Sequence, residues 1–183
     1  MAKSKNNVLT HGLSGKIGDL LVFYERNGKT IVAKRPTVNW ERSEKQKEHC
    51  CRFQKASHYA KIAQHEEIYI NAAAKQGRRP YNLALTDAFH VPEIEKIDHS
   101  NYSGKVNDKI IITVTDNFQV KEVTVRIINS NNLLVEEGKA TPSKIDDEWI
   151  YIATKVNNKQ IGCRIEVLAS DIPGNISLFE KGL

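Results

Sequence analysis

The chain has 183 residues, of which 40% are hydrophobic and 27% are charged, and its formal net charge is +5. This length suits one ordinary domain or two small ones, and the composition is typical of globular proteins. The sequence has no run of about 18 apolar residues, which a membrane span would need, and its start lacks the apolar segment of a signal peptide. We therefore expect no membrane partner, and a location in the cytoplasm or within a particle.

Charge is divided unevenly along the chain. Residues 1–90 contain 16 Lys and Arg against 8 Asp and Glu, whereas residues 91–183 contain 11 against 14. The first half thus carries +8 and the second half −3. This division favours an anionic partner for the first half, or docking between copies of the chain.

The N-terminal part predicts a flexible basic arm over residues 1–17, followed by a β-hairpin. Residues 20–24 and 30–33 are rich in β-prone side chains. Asn27-Gly28 between them is the usual pair of a type I′ turn, whose central residues need positive φ. Pro36 ends the pairing because it lacks an N–H group.

Helical periodicity follows, so that residues 18–92 are predicted as one region of hairpin and helices. Ser43 and Gln46 match a capping box, which marks a helix start. The apolar spacing weakens at residues 64–66 and then resumes until Gly77, a plausible stop. Asn82 is expected to cap a short last helix before Pro92.

Residues 93–183 show the alternation of short β-strands. The clearest strands span residues 110–114, 120–128, 133–136, 149–152, 161–169 and 175–179, with a turn at 129–132. Strands of this length and spacing are typical of a β-sandwich. The predicted fold class is an α+β N-terminal region followed by an all-β sandwich.

Residues of about 94–180 resemble a bacterial immunoglobulin-like domain. The resemblance rests on residues 111–114 with Asp116-Asn117, on Val120 with residues 123–127, and on residues 136–140 followed by 149–151. Its last element is an Ala-x-Asp-x-x-Gly-Asn corner at residues 169–175. The resemblance implies an immunoglobulin-like fold and no particular function.

The opening of the chain resembles an uncharacterised family common in Bacteroidota. The motif is a Gly-Lys-x-Gly hairpin over residues 14–23 and 27–32, a basic exit at Lys34-Arg35-Pro36, and a helix with Gln46, Arg52 and Phe53. Similar openings occur among phage-like structural proteins. This resemblance implies no activity and transfers no functional residue.

The sequence has few signs of a catalytic, metal-binding or cofactor-binding site. There is no Cys-x-x-Cys, His-Glu-x-x-His or phosphate-binding loop, so we predict no catalytic residue, no metal, no cofactor and no small-molecule substrate. A calcium site at Asp116 and Asp171 is conceivable, but one short loop holds too few carboxylates to favour it. The corner around Asp171 and Asn175 is more simply a structural turn.

Basic residues interleaved with aromatic ones stand out in the first half. The aromatic side chains either form a small core or stack on bases. The basic side chains form the candidate interaction surface: Lys16, Arg26, Lys29, Lys34, Arg35, Arg42, Arg52, Arg78 and Arg79.

Two functions fit these patterns. The favoured one is a non-catalytic subunit of a protein assembly, with itself or other proteins as partners, docking through hairpin and helices. The alternative is a protein that binds nucleic acid through its basic first half.

Overall fold

A computed structural model describes residues 2–4, 12–26, 28–35 and 41–183. The chain forms two compact units, Met1–Glu44 and Lys45–Leu183, here called the sheet unit and the helix–sandwich unit. The helices thus belong with the C-terminal sheets, because apolar helical side chains pack on Phe118 and Ile172 of the sandwich. The division of the chain into domains at residues 1–17, 18–92 and 93–183 stays a prediction.

The sheet unit is a four-stranded antiparallel sheet. Its strands, in the order β1-β4-β3-β2, are β1 Ala2–Ser4, β2 Gly15–Ile17, β3 Leu21–Arg26 and β4 Lys29–Lys34. The predicted hairpin is confirmed as β3 and β4, and Gly28 has the positive φ of 68° that its turn requires. The predictions for Asn27 and Pro36 fall outside the described residues.

Strands β1 and β2 lie within residues 1–17, the range predicted as a flexible arm. Both pair with the hairpin, β1 against β4 and β2 against β3. The physical reason is that the two edges of a hairpin present unpaired N–H and C=O groups, which recruit further strands.

Three helices begin the helix–sandwich unit: α1 Glu44–Ala63, α2 Glu67–Gln76 and α3 Pro80–Phe89. The predicted break at residues 64–66 and the stop at Gly77 are confirmed, and the Gly77 amide donates to the carbonyls of Ala73 and Ala74. Helix α3 starts at Pro80 rather than at Asn82. Proline suits the first helical turn because N–H groups there have no acceptor within the helix, and proline has no N–H group. None of the described helices has the length and hydropathy needed to cross a membrane.

Two antiparallel four-stranded sheets complete this unit. The first has the order β5-β6-β10-β9, from β5 Glu93–Asp98, β6 Lys109–Thr115, β9 Thr141–Pro142 and β10 Glu148–Ile152. The second has the order β12-β11-β7-β8, from β7 Val120–Ile128, β8 Leu134–Lys139, β11 Arg164–Asp171 and β12 Ile176–Gly182. Alternate residues of both sheets form a shared apolar core, so the C-terminal part is sandwich-like.

A buried carboxylate fastens the two sheets to each other. Glu136 on β8 is only 1% exposed. Its Oε2 accepts hydrogen bonds from the Thr154 amide and hydroxyl at 2.9 Å and from the Lys155 amide at 3.0 Å. Three donors to one ionised oxygen offset the cost of its burial.

We expect Gly104→Ala to destabilise the sandwich by about 3 kcal/mol. Gly104 has a φ of +80°, and a Cβ there would lie 2.2 Å from the Asn157 carbonyl oxygen. Gly182→Ala is the matched control because a Cβ at that position meets nothing within 4 Å, and its effect should stay within about 0.5 kcal/mol. Chemical denaturation of both variants tests this, and equal stabilities would contradict it.

Candidate functional site: a buried carboxylate cluster

Helix α3 brings an acidic side chain into the interior of the helix–sandwich unit. Its buried residues are Leu83, Ala84 and Asp87, which share one face of the helix. Asp87 is 0% exposed, and its Oδ2 accepts a hydrogen bond of 2.5 Å from the Tyr69 hydroxyl. The Tyr69 hydroxyl also contacts the Tyr59 hydroxyl at 3.1 Å. Two tyrosines therefore position one oxygen of Asp87, while its Oδ1 has no hydrogen-bond partner.

The loop after β6 supplies a second carboxylate. Asp116 is half-buried, and its Oδ2 accepts the amide N–H of Gln119 at 3.1 Å. This bond closes a local turn between β6 and β7. The other oxygen, Oδ1, is shielded from solvent and has no hydrogen-bond partner.

The end of β11 supplies the third carboxylate, in the corner that the sequence predicted as a turn. The Oδ1 of Asp171 accepts amide hydrogen bonds from Gly174 at 2.8 Å and from Asn175 at 2.6 Å. The Asn175 side-chain amide donates to Asp171 Oδ2 at 2.6 Å and to the His90 carbonyl at 3.0 Å. The corner thus joins the last strands directly to the end of helix α3.

These three residues, Asp87, Asp116 and Asp171, form what we call the carboxylate cluster. One side-chain oxygen from each lies within 4.8 Å of the others. Sequence analysis considered Asp116 and Asp171 together and missed Asp87, which lies on a different element. The available signal was that Asp87 follows Leu83 by four residues and therefore shares its buried face.

The electrostatics of the cluster reflect crowding of like charges in a buried place. Burial raises the pKa of Asp87 to about 7, and the charges of Asp116 and Asp171 add to this, while the Tyr69 hydrogen bond opposes it. Burial also raises the pKa of Asp171, against the hydrogen bonds from Asn175 and Gly174. Such a site has excess negative charge that either protons or a cation can offset.

The nine basic residues of the predicted interaction surface are distributed over both units. Lys16, Arg26, Lys29 and Lys34 are exposed on the sheet unit, where Arg35 forms an ion pair with Asp19. Arg42 is also in the sheet unit, whereas Arg52, Arg78 and Arg79 are exposed on the helix–sandwich unit. Arg52 lies over the Phe89 ring, 5.2 Å from its centroid, and donates to the Phe89 carbonyl.

Strand register divides the basic residues of the sheet unit between its two faces. Lys16 pairs with Val22, and Arg26 pairs with Lys29, so these three cations share a face with Tyr24. Val22, Ile31 and Ala33 lie on the same face, and Ile31 is buried. The side chain of Lys34 lies on the opposite face, because it pairs with Leu21. We call the first the cationic face and the second the apolar face.

The apolar face is named for four side chains from three strands. Ile17 pairs with Leu21, and Phe23 pairs with Val32. Ile17 is 56% exposed and Leu21 39% exposed, while Phe23 is buried.

Tyr59 and Tyr81, two of the aromatic side chains of the first half, pack against the helical core of the helix–sandwich unit, so these two side chains have a structural role.

Comparisons with protein-family models, curated proteins and solved structures find no match to this chain. The carboxylate cluster and the two faces of the sheet unit are therefore the features that bear on its function.

We expect the Asp87 carboxyl to make the folded state more stable in mild acid. Its folded pKa lies near 7, above the ordinary value of about 3.9, so the folded state holds the proton more tightly than the unfolded state does. This stabilisation is complete below the ordinary pKa and is lost as pH rises through the folded pKa. The melting temperature in EDTA-containing buffer should therefore decrease between about pH 5 and about pH 8.

Two variants isolate the contribution of Asp87 from other titrating groups. Asp87→Asn should reduce the pH slope, because it removes the group that Tyr69, Asp116 and Asp171 surround. Asp146→Asn is the matched control, since Asp146 is an exposed carboxylate. A slope in Asp87→Asn equal to that of the unmodified chain would refute the assignment.

Proposed function

We propose that this protein is a non-catalytic subunit of a protein assembly, which docks through its N-terminal hairpin and helices onto another copy of the same chain. The observation that carries the proposal is the apolar face of the sheet unit. A two-layer fold normally buries such a face against a second layer. Here Ile17 and Leu21 leave large apolar surfaces in contact with water, and covering them by a partner would stabilise the complex.

Charge complementarity favours a second copy as the partner. The basic first half of one chain is opposite in sign to the second half of another, with +8 against −3. An exposed acidic segment, Asp146-Asp147 next to Glu148, lies just before β10 and adjoins the exposed Ile145. Such a contact joins two different surfaces, so it is heterologous and builds rings or filaments rather than closed pairs.

The strand order supports the immunoglobulin-like assignment of residues 94–180 as part of this proposal. In immunoglobulin-like domains, strands one, two, five and four share a sheet, and strands three, six and seven form the other. Counting β5 as the first strand and β8 as an extra strand beside the third, the two sheets follow this order. Domains of this kind recur as interaction modules on larger assemblies, which also agrees with the resemblance to phage-like structural proteins.

Light scattering after gel filtration, over a range of protein concentrations, tests the assembly. We expect a concentration-dependent oligomer that weakens at high salt, because the contact combines apolar and charged surfaces. The double variant Ile17→Ser/Leu21→Ser should raise the apparent dissociation constant at least about tenfold. The control is Ile176→Ser/Leu178→Ser, which changes two exposed apolar side chains of β12.

The light-scattering result distinguishes a second copy of the chain from a different protein as the partner. A monomer at all concentrations would reject self-assembly, and a stable complex with a different protein would then identify a heterologous subunit. An oligomer that is unaffected by the Ile17 and Leu21 substitutions would move the contact away from the apolar face.

A second candidate function is binding of nucleic acid, which the cationic face favours. Lys16, Arg26 and Lys29 share this face with an aromatic side chain, a combination that suits phosphate contacts and base stacking. Affinity for a mixed DNA and RNA pool should then decrease steeply between about 50 mM and about 200 mM salt. Lys16→Gln/Lys29→Gln should weaken binding for all sequences alike, whereas Lys144→Gln/Lys155→Gln, which changes two exposed lysines of the helix–sandwich unit, is the control. Binding that ignores the double variant would exclude this face.

A further inference from the structure

We propose that the carboxylate cluster binds a single hard divalent cation, with calcium as the best match. This site lies within the helix–sandwich unit and does not depend on the proposed assembly.

The geometry of the cluster fits one ion. Calcium takes oxygen ligands at about 2.4 Å, so two oxygens on the same ion are at most about 4.8 Å apart. Asp87, Asp116 and Asp171 each offer an oxygen within this limit. The three residues come from helix α3, the β6–β7 loop and the end of β11, so one ion would join three separate segments of the unit.

A fully buried oxygen without a partner is the independent sign of a missing ligand. Asp87 is 0% exposed, yet its Oδ1 makes no hydrogen bond. The Oδ1 atom of Asp116 is also buried and has no hydrogen-bond partner. Buried carboxylate oxygens in native proteins are almost always paired, because leaving them unpaired costs about 1–3 kcal/mol or more. Among the described carboxylates, buried oxygens without a partner occur on Asp87, Asp116 and Glu136, so two of the three belong to the cluster.

No basic side chain of the described residues contributes to the pKa shift of the Asp87 carboxyl. The groups that act on the Asp87 carboxyl are Tyr69, Asp116 and Asp171, and none is cationic. The hydroxyl of Tyr69 and the amides of Asn175 and Gly174 all present hydrogens to the cluster, as they would to ionised acceptors. A single proton would offset one of three negative charges, whereas a divalent cation offsets two.

The half-buried member of the cluster gives the ion a way in. Asp116 lines a surface groove of about 460 Å³ together with Arg52, His90, Glu93, Thr115 and Asn117. The three carboxylates can supply three to six ligand oxygens, and water from this side would complete a calcium shell of six to eight.

Titration of the EDTA-treated and desalted full chain with calcium tests the site. Calorimetry should give one site with a dissociation constant of about 10⁻⁴ M, the weaker range that suits three carboxylates. Saturating calcium should raise the melting temperature by about 5 °C, because the ion binds only the folded state. Terbium should also bind and emit on excitation of tyrosine, since the Tyr69 hydroxyl lies 2.5 Å from Asp87 Oδ2.

Two single-carboxylate variants decide the location. Asp116→Asn should weaken calcium binding at least about tenfold while keeping the fold, because the side-chain carbonyl can still accept from Gln119. Glu180→Gln removes an exposed carboxylate of β12 instead and should bind calcium as the unmodified chain does. Circular dichroism checks that both are folded.

Three results would overturn the proposal. One is the absence of saturable calcium or terbium binding to the unmodified chain at about 5 mM ion. Another is calcium binding that Asp116→Asn leaves unchanged. The third is a melting temperature that responds to pH but not to any divalent ion, which would assign the cluster to protons.

Discussion

The side chain of Asn175 is the contact on which the arrangement of the helix–sandwich unit depends. Its amide donates to Asp171 Oδ2 at 2.6 Å and to the carbonyls of His90 and Ala88 at 3.0 and 3.4 Å. One amide group therefore fixes the end of helix α3 against the corner between β11 and β12. That attachment acts together with the packing of Phe118 and Ile172 on the helical core to place Asp87 beside Asp171.

The cluster and the Glu136 contact show two ways of burying negative charge in one fold. Three donors converge on one oxygen of Glu136, so local backbone geometry stabilises its charge. The cluster has five hydrogen bonds for its three acids, only one of them to Asp87, and burial raises the pKa of Asp87. The hydrogen bonds of Glu136 hold the two sheets together, whereas the carboxylate cluster keeps an excess of negative charge.

The sequence predicted most of the strands but only part of the site, for different physical reasons. Strands such as β6 and β7 alternate regularly between core and surface, and this pattern is local. Strand β5 escaped prediction because a bulge between Ile94 and Lys96 breaks its alternation. Asp87 escaped because its partners, Asp116 and Asp171, are distant in sequence. The two faces of the sheet unit could not be assigned either, since they follow from strand register.

Two long-range hydrogen bonds of the helix–sandwich unit bear on the order of folding. The bond from Asn175 to His90 spans 85 residues, and the one from Lys181 to the Ile97 carbonyl spans 84. Contacts of such separation form late, because closing the intervening chain costs entropy before any packing compensates for it. During that interval the Ala-rich faces of the helices have no sandwich to cover them. The slow step of folding is then the arrival of the last hairpin, and the helices are the segment that a chaperone would meet uncovered.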